Sequence, residues 1–436
     1  MQKILNNHII MSGIYKGISG MSLFLSIRLM IDYLGDENYG IWVLLFTLFQ
    51  LVLLMDFGVQ STLKTKIPVY LHENKLKKVS NIINATYKIS IIIAVLILTF
   101  FLIILKLINF KSVFNITNLN EWEVDVLLIL NILFFCITFV FNIHKSLYVA
   151  FFKGKFSEQS IALNQLVYLI SIGIFIYLIK NPITDFNKLL IFSIINGLIS
   201  ILVNLIYSIK IFREENIKLN FLKVKDNSVI NEILKLGIKF MLLQVGFLFI
   251  FSSDSYIISN AFDPTEIVSY EVVNKLFQFP FMIIFAALSP LWSMFAKHYL
   301  EGNKSKLYND FKKFNQFFVL IILGLIILYL ITPTIVSIWL KEQIIIPQYL
   351  ILLTTIVTAL KIFVSFYTFF LSGIGKLTFY LTILIISVIL KIPLSFYFVD
   401  LGFGVNSVLI SSLIIVSAWT LLIPFKCYKI ADSIKN

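Results

Sequence analysis

The sequence predicts an all-α polytopic membrane protein: about twelve transmembrane helices in two six-helix lobes, related by a pseudo-two-fold axis along the membrane normal, with a central cavity. Three observations point there. Of 436 residues, 59% are hydrophobic and only 14% charged, against about 25% charged in a soluble domain. With a mean hydropathy of +0.93, a soluble chain could not hide so much apolar surface. The apolar residues fall into about twelve continuous runs long enough to cross a bilayer, which takes about 20 residues each. They do not alternate in ten-residue segments as barrel strands do. The basic residues, finally, crowd into alternate connections.

The first run, about 9–32, carries Lys16 and Arg28 and lacks a small-residue cleavage site, so it is expected to stay as a span. A short acidic loop with Asp32, Asp36 and Glu37 leads to the second, about 38–62, which holds Asp56. The third, fourth, fifth and sixth runs lie at about 82–106, 124–144, 160–179 and 188–210, with amides at Asn131, Asn164, Gln165, Asn196 and Asn204. The seventh, about 232–259, holds Lys239, Gln244 and Asp254; the eighth, about 265–296, holds Glu271, Asn274, Lys275, Gln278, Pro280 and Pro290. The last four lie at about 314–333, 346–371, 377–398 and 403–425, with Lys361 in the tenth and Lys391 and Pro393 in the eleventh. The three prolines mark kinks.

The net charge is +13, from 36 Lys+Arg against 23 Asp+Glu, and only Arg28 and Arg213 are arginines. A basic chain suggests nucleic acid when its charges cluster in a domain outside the bilayer. Here no connection exceeds about 25 residues, and 24 of the 36 basic residues fall on one side if the N-terminus is inside. Lys106, Lys111, Lys180, Lys188 and Lys341 fall on the other. Positive residues in short loops stay in the cytoplasm, so both termini are expected there, in a bacterial inner membrane, and no nucleic-acid partner is expected.

The longest inner connection, about 211–231, divides the spans six and six: residues 1–210 form an N-terminal lobe, 211–231 a linker and 232–436 a C-terminal lobe. A weak internal echo runs from Gly13 to Gln50 and again from Gly237 to Gln278, each ending Leu-Phe-Gln, with Lys16 and Lys239 at similar places. Parallel repeats of this kind suit a two-lobed transporter, with the substrate path between lobes near the midplane.

Ionisable residues inside a span cost at least about 2.5–3.5 kcal/mol on insertion scales and need a partner or a wet cavity. Lys361 and Lys391 lie deep, without a carboxylate within a turn on their own helices. With Arg28 and Lys275 they are the candidates for binding a substrate diphosphate, since Lys and Arg are the phosphate-binding side chains. Glu271 and Lys275, spaced i,i+4 in the favourable order, could equally neutralise each other, and Arg28 could pair with Asp254 or snorkel outward. Asp56 and Asp254 are the candidates for coupling movement to an H+ or Na+ gradient. The span amides either meet sugar hydroxyls or join helices.

No metal site or cofactor is expected: Cys136 and Cys427 have no ligand spacing, and His8, His72, His144 and His298 read as interfacial polar residues near span ends. No glycine-rich phosphate loop, nucleophile elbow or HExxH is present, so no enzyme is expected.

Several loose motifs occur in a fairly specific order. They are Leu34-Gly35-Asp36-Glu37-Asn38-Tyr39-Gly40-Ile41-Trp42, Asp56-Phe57-Gly58-Val59, Ser289-Pro290-Leu291-Trp292, Ser372-Gly373-Ile374-Gly375-Lys376, then Pro393 and Gly402-Phe403-Gly404. Through them the chain resembles the O-antigen flippase (Wzx) family of polysaccharide transporters, in the multidrug/oligosaccharidyl-lipid/polysaccharide exporter (MOP) superfamily. The resemblance implies a flippase for an undecaprenyl-diphosphate-linked repeat unit, working by alternating access among membrane lipids, with a polysaccharide polymerase and a chain-length regulator as partners. The alternatives are a drug/cation antiporter of the same superfamily, which would need an acidic lumen, and a membrane-embedded glycan polymerase or ligase.

Overall fold

The computed structural model describes residues 2–35, 38–43, 58–113, 116, 118–179, 183–220, 227–262, 264–340 and 346–434. All regular structure among them is helical. The helices are α1 (Gln2–Leu34), α2 (Val59–His72), α3 (Leu76–Leu107), α4 (Phe110–Val113), α5 (Glu121–Phe141), α6 (Ile143–Ala150), α7 (Lys155–Leu178) and α8 (Asp185–Glu214). They continue as α9 (Asn227–Ala261), α10 (Pro264–Leu288), α11 (Leu291–Leu300), α12 (Lys304–Leu340), α13 (Leu350–Gly373), α14 (Thr378–Asp400) and α15 (Asn406–Asp432).

Eleven helical segments among the described residues are long and apolar enough to cross a membrane. They match eleven of the twelve expected spans; most of the remaining one, the second, lies outside the described residues. The helices outrun the apolar stretches. The 37 residues of α12 measure about 55 Å at 1.5 Å per residue, against a hydrocarbon core of about 30 Å, so the helix is longer than the core, and its polar N-terminal turns, Lys304 to Gln316, are the part suited to headgroups and water.

The chain divides into two compact units, Met1–Gly237 and Ile238–Asn436. In the first, α1 lies along α7, and α5 packs between α3 and α8. Its core includes Ile82, Ile83, Leu127, Leu128, Ile172 and Phe192. The amides join helices here: Asn131 donates to Ser193 Oγ at 3.0 Å and Asn164 to Ser200 Oγ at 3.1 Å. Gly58, at φ 66°, starts α2 in a left-handed conformation that a side chain would strain. The first turns of α9 are tied into this unit, where Glu232 binds both Lys66 and Tyr70 of α2.

In the second unit α13 is the central helix, packed on α10, α11 and α15. Rings fill the space around its C-terminal half: Phe314 stacks on Phe366 at 3.8 Å between centroids, and Phe311 meets Phe366, Phe370 and Tyr367 edge-on or tilted. Gly373 ends α13 against α11, where a Cβ would collide with the carbonyl oxygen of Trp292.

Two expectations change. Pro290 does not kink a continuous helix; it stands in a two-residue break and begins α11. His144 is not interfacial. It is fully buried, its Nδ1 2.7 Å from the Phe141 carbonyl oxygen and its Nε2 3.1 Å from Ser160 Oγ. His8 is buried too. Both sit near span ends as expected, but neighbouring helices cover them.

Candidate functional site

The polar heart of the second unit is built from four helices. Helix α14 carries Lys391 among serines in an otherwise aliphatic run, and α15 returns beside it with Ser411 and Ser412. These small residues let the two helices approach closely. Helix α9 supplies Asp254 and α10 supplies Tyr270.

Lys391 has 0% of its surface exposed and Asp254 2%. Their Nζ and Oδ1 atoms are 2.6 Å apart. The same ammonium donates to the Val408 carbonyl oxygen at 2.8 Å, Ser411 Oγ at 2.9 Å and Ser412 Oγ at 2.7 Å. The Tyr270 hydroxyl donates to Asp254 Oδ2 at 2.7 Å. Ser395 Oγ lies 2.6 Å from Ser411 Oγ and donates to the Lys391 carbonyl oxygen at 2.8 Å. A buried ion pair needs further hydrogen bonds around it; here α15 supplies three acceptors to the ammonium and Tyr270 of α10 donates to the carboxylate.

Lys361 of α13 comes near the same cluster. It is only partly buried. Its Nζ stands 3.9 Å from the centroid of Phe251 and 5.0 Å from that of Phe281, within electrostatic range of both Asp254 and Lys391. Two cations thus face one carboxylate. Lys391 neutralises Asp254 at contact, so the uncompensated charge belongs to Lys361. Cation–π contact stabilises it where it stands but offers its protons no oxygen acceptor.

Of the six residues singled out from the sequence, three meet here: Lys361, Lys391 and Asp254. Depth alone made Lys391 a diphosphate ligand; in the structure its three protons already face four protein oxygens. The ionic partner of Asp254 is Lys391. Arg28 is exposed on α1 and has no ionic partner among the described residues. Lys275 is exposed on α10, its Nζ 4.0 Å from Glu271 at the expected i,i+4 spacing, while Glu271 also accepts from Ser255. Asp56 lies outside the described residues. Sequence reasoning missed Tyr270, Ser411 and Ser412; the adjacent serines in the aliphatic twelfth span were the signal for the last two. Among the described residues no cluster of His, Cys, Asp and Glu could hold a metal.

The fold is that of solved transporters of the MOP superfamily. The structure superposes on an outward-facing multidrug resistance MATE transporter of that superfamily with a TM-score of 0.78, at 15% identity, covering 99% of this chain and 97% of that one. A MATE protein in a bent conformation gives 0.79 at 15% identity, with 99% and 96% covered. A MOP superfamily transporter from Pyrococcus furiosus, whose title reports a binding pocket of reversed polarity, gives 0.77 at 15% identity, with 98% and 96% covered. By its sequence the chain belongs to the polysaccharide biosynthesis protein family, which it matches over residues 5–297. A curated relative from Yersinia pseudotuberculosis, named for O-antigen export, is 25% identical over 387 residues, which is 85% of this chain and 84% of that protein.

Proposed function

We propose that this chain is a flippase that carries an undecaprenyl-diphosphate-linked oligosaccharide, an O-antigen or similar surface-polysaccharide repeat unit, across the bacterial inner membrane. Family membership and the relative named for O-antigen export support the substrate class. The observation that carries the reading is Lys361: a partly buried cation with no acceptor oxygen among the described residues, near a carboxylate that another lysine already neutralises. Such a site suits an anion and repels a cationic drug.

In this reading Lys361 holds the diphosphate, with Arg28 and Lys275 as further exposed cations along its route. Lys391 serves indirectly, by keeping Asp254 from cancelling Lys361. The lobes alternate between inward and outward access while the lipid tail stays in the bilayer, and both termini lie in the cytoplasm. The reading requires no catalytic step. An H+ or Na+ gradient supplies the energy, and a polymerase and chain-length regulator take the product. A drug/cation antiporter is the second reading, favoured by the likeness to MATE structures.

Reconstitution separates the two. Vesicles containing the purified protein and lipid-linked oligosaccharide should expose more of the glycan to an added soluble glycosidase than protein-free vesicles do. No increase, together with uptake of a labelled cationic drug, would establish the antiporter instead.

A further inference from the structure

The geometry points to a latent monovalent-cation site in the second unit whose cation is the chain's own Lys391 ammonium. Every group facing Nζ presents oxygen: the Asp254 carboxylate at 2.6 Å, the Val408 carbonyl at 2.8 Å, and the Ser411 and Ser412 hydroxyls at 2.9 and 2.7 Å. A carboxylate, a main-chain carbonyl and two hydroxyls form a donor set for a hard cation. They come from two helices, α9 and α15, and are almost wholly shielded from solvent, and three of the four are held by bonds that do not involve Nζ: the Tyr270 hydroxyl donates to Asp254, and Ser411 donates to the Val408 carbonyl at 2.9 Å. The cage is therefore built by the fold, and the lysine side chain enters it from α14 as a plug.

Two consequences follow. The intact protein needs no inorganic cation at Asp254, so this carboxylate is closed to the Na+ that the sequence suggested for it. Shortening the lysine should open the cage, leaving an uncompensated buried carboxylate with three further oxygens around a space that Na+ or K+ can fill.

The test is a thermal melt of the purified protein in detergent, at matched ionic strength in NaCl, KCl or choline chloride. The wild type should melt at one temperature in all three. Lys391→Ala, or Lys391→Ser if the alanine variant does not fold, should melt lower in choline and regain several degrees in NaCl or KCl. Adding Asp254→Asn should abolish that gain. A wild-type protein stabilised specifically by Na+ or K+, with the effect lost in Asp254→Asn, would show that an inorganic cation already binds there and would overturn the proposal. A folded Lys391 variant with the same midpoint in all three salts would overturn it equally.

Discussion

Lys391 and Asp254 form an ion pair 2.6 Å long in which neither residue reaches solvent to any useful extent. Removing one partner leaves a buried charge alone, which typically costs about 3–5 kcal/mol. Lys391→Met and Asp254→Leu should each lower stability by about that much. Replacing both together, as Lys391→Met with Asp254→Leu, should cost far less than the sum of the two single replacements. Unfolding in detergent, followed by tryptophan fluorescence, measures the four corners of this double-mutant cycle.

Gly373 and Gly173 provide a matched pair. At Gly373 an added Cβ meets the backbone of Trp292, which cannot turn aside, whereas at Gly173 nothing lies within 4 Å. Gly373→Ala should cost about 1–3 kcal/mol, as overpacking generally does. Gly173→Ala should be neutral or gain up to about 1 kcal/mol from helix propensity. The two melting temperatures check this directly.

Glu232 fixes the start of α9 to α2 through Lys66 and Tyr70. The ion pair is more than a quarter exposed on both sides, so solvent screens it, and Glu232→Gln should cost only about 1 kcal/mol. Its local effect should be larger. Amide hydrogen exchange should quicken in residues 227–237 of the variant and stay unchanged in α13.

Much of the fold was legible because a bilayer imposes a simple rule on composition: eleven helical spans recur where long apolar runs stand in the sequence. The depth of Lys391, Lys361 and Asp254 was legible for the same reason, since any charge within such a run is conspicuous. Who pairs with whom was not. Asp254 could have met Arg28 or either lysine, and the choice depends on which faces of α9 and α14 turn toward each other. Tyr270 looked like one aromatic among many. His144 shows the converse failure: proximity to a span end suggested the interface, but burial depends on the neighbouring helices, which the local sequence does not encode.

Lys361 carries the central claim, and replacing it is the most direct test. In a strain lacking the chromosomal gene, Lys361→Ala should reach the membrane at the wild-type level. Surface polysaccharide should fall at least tenfold, and lipid-linked repeat units should accumulate on the cytoplasmic leaflet. Wild-type surface polysaccharide without accumulation, in Lys361→Ala and in its combination with Arg28→Ala, would contradict the account.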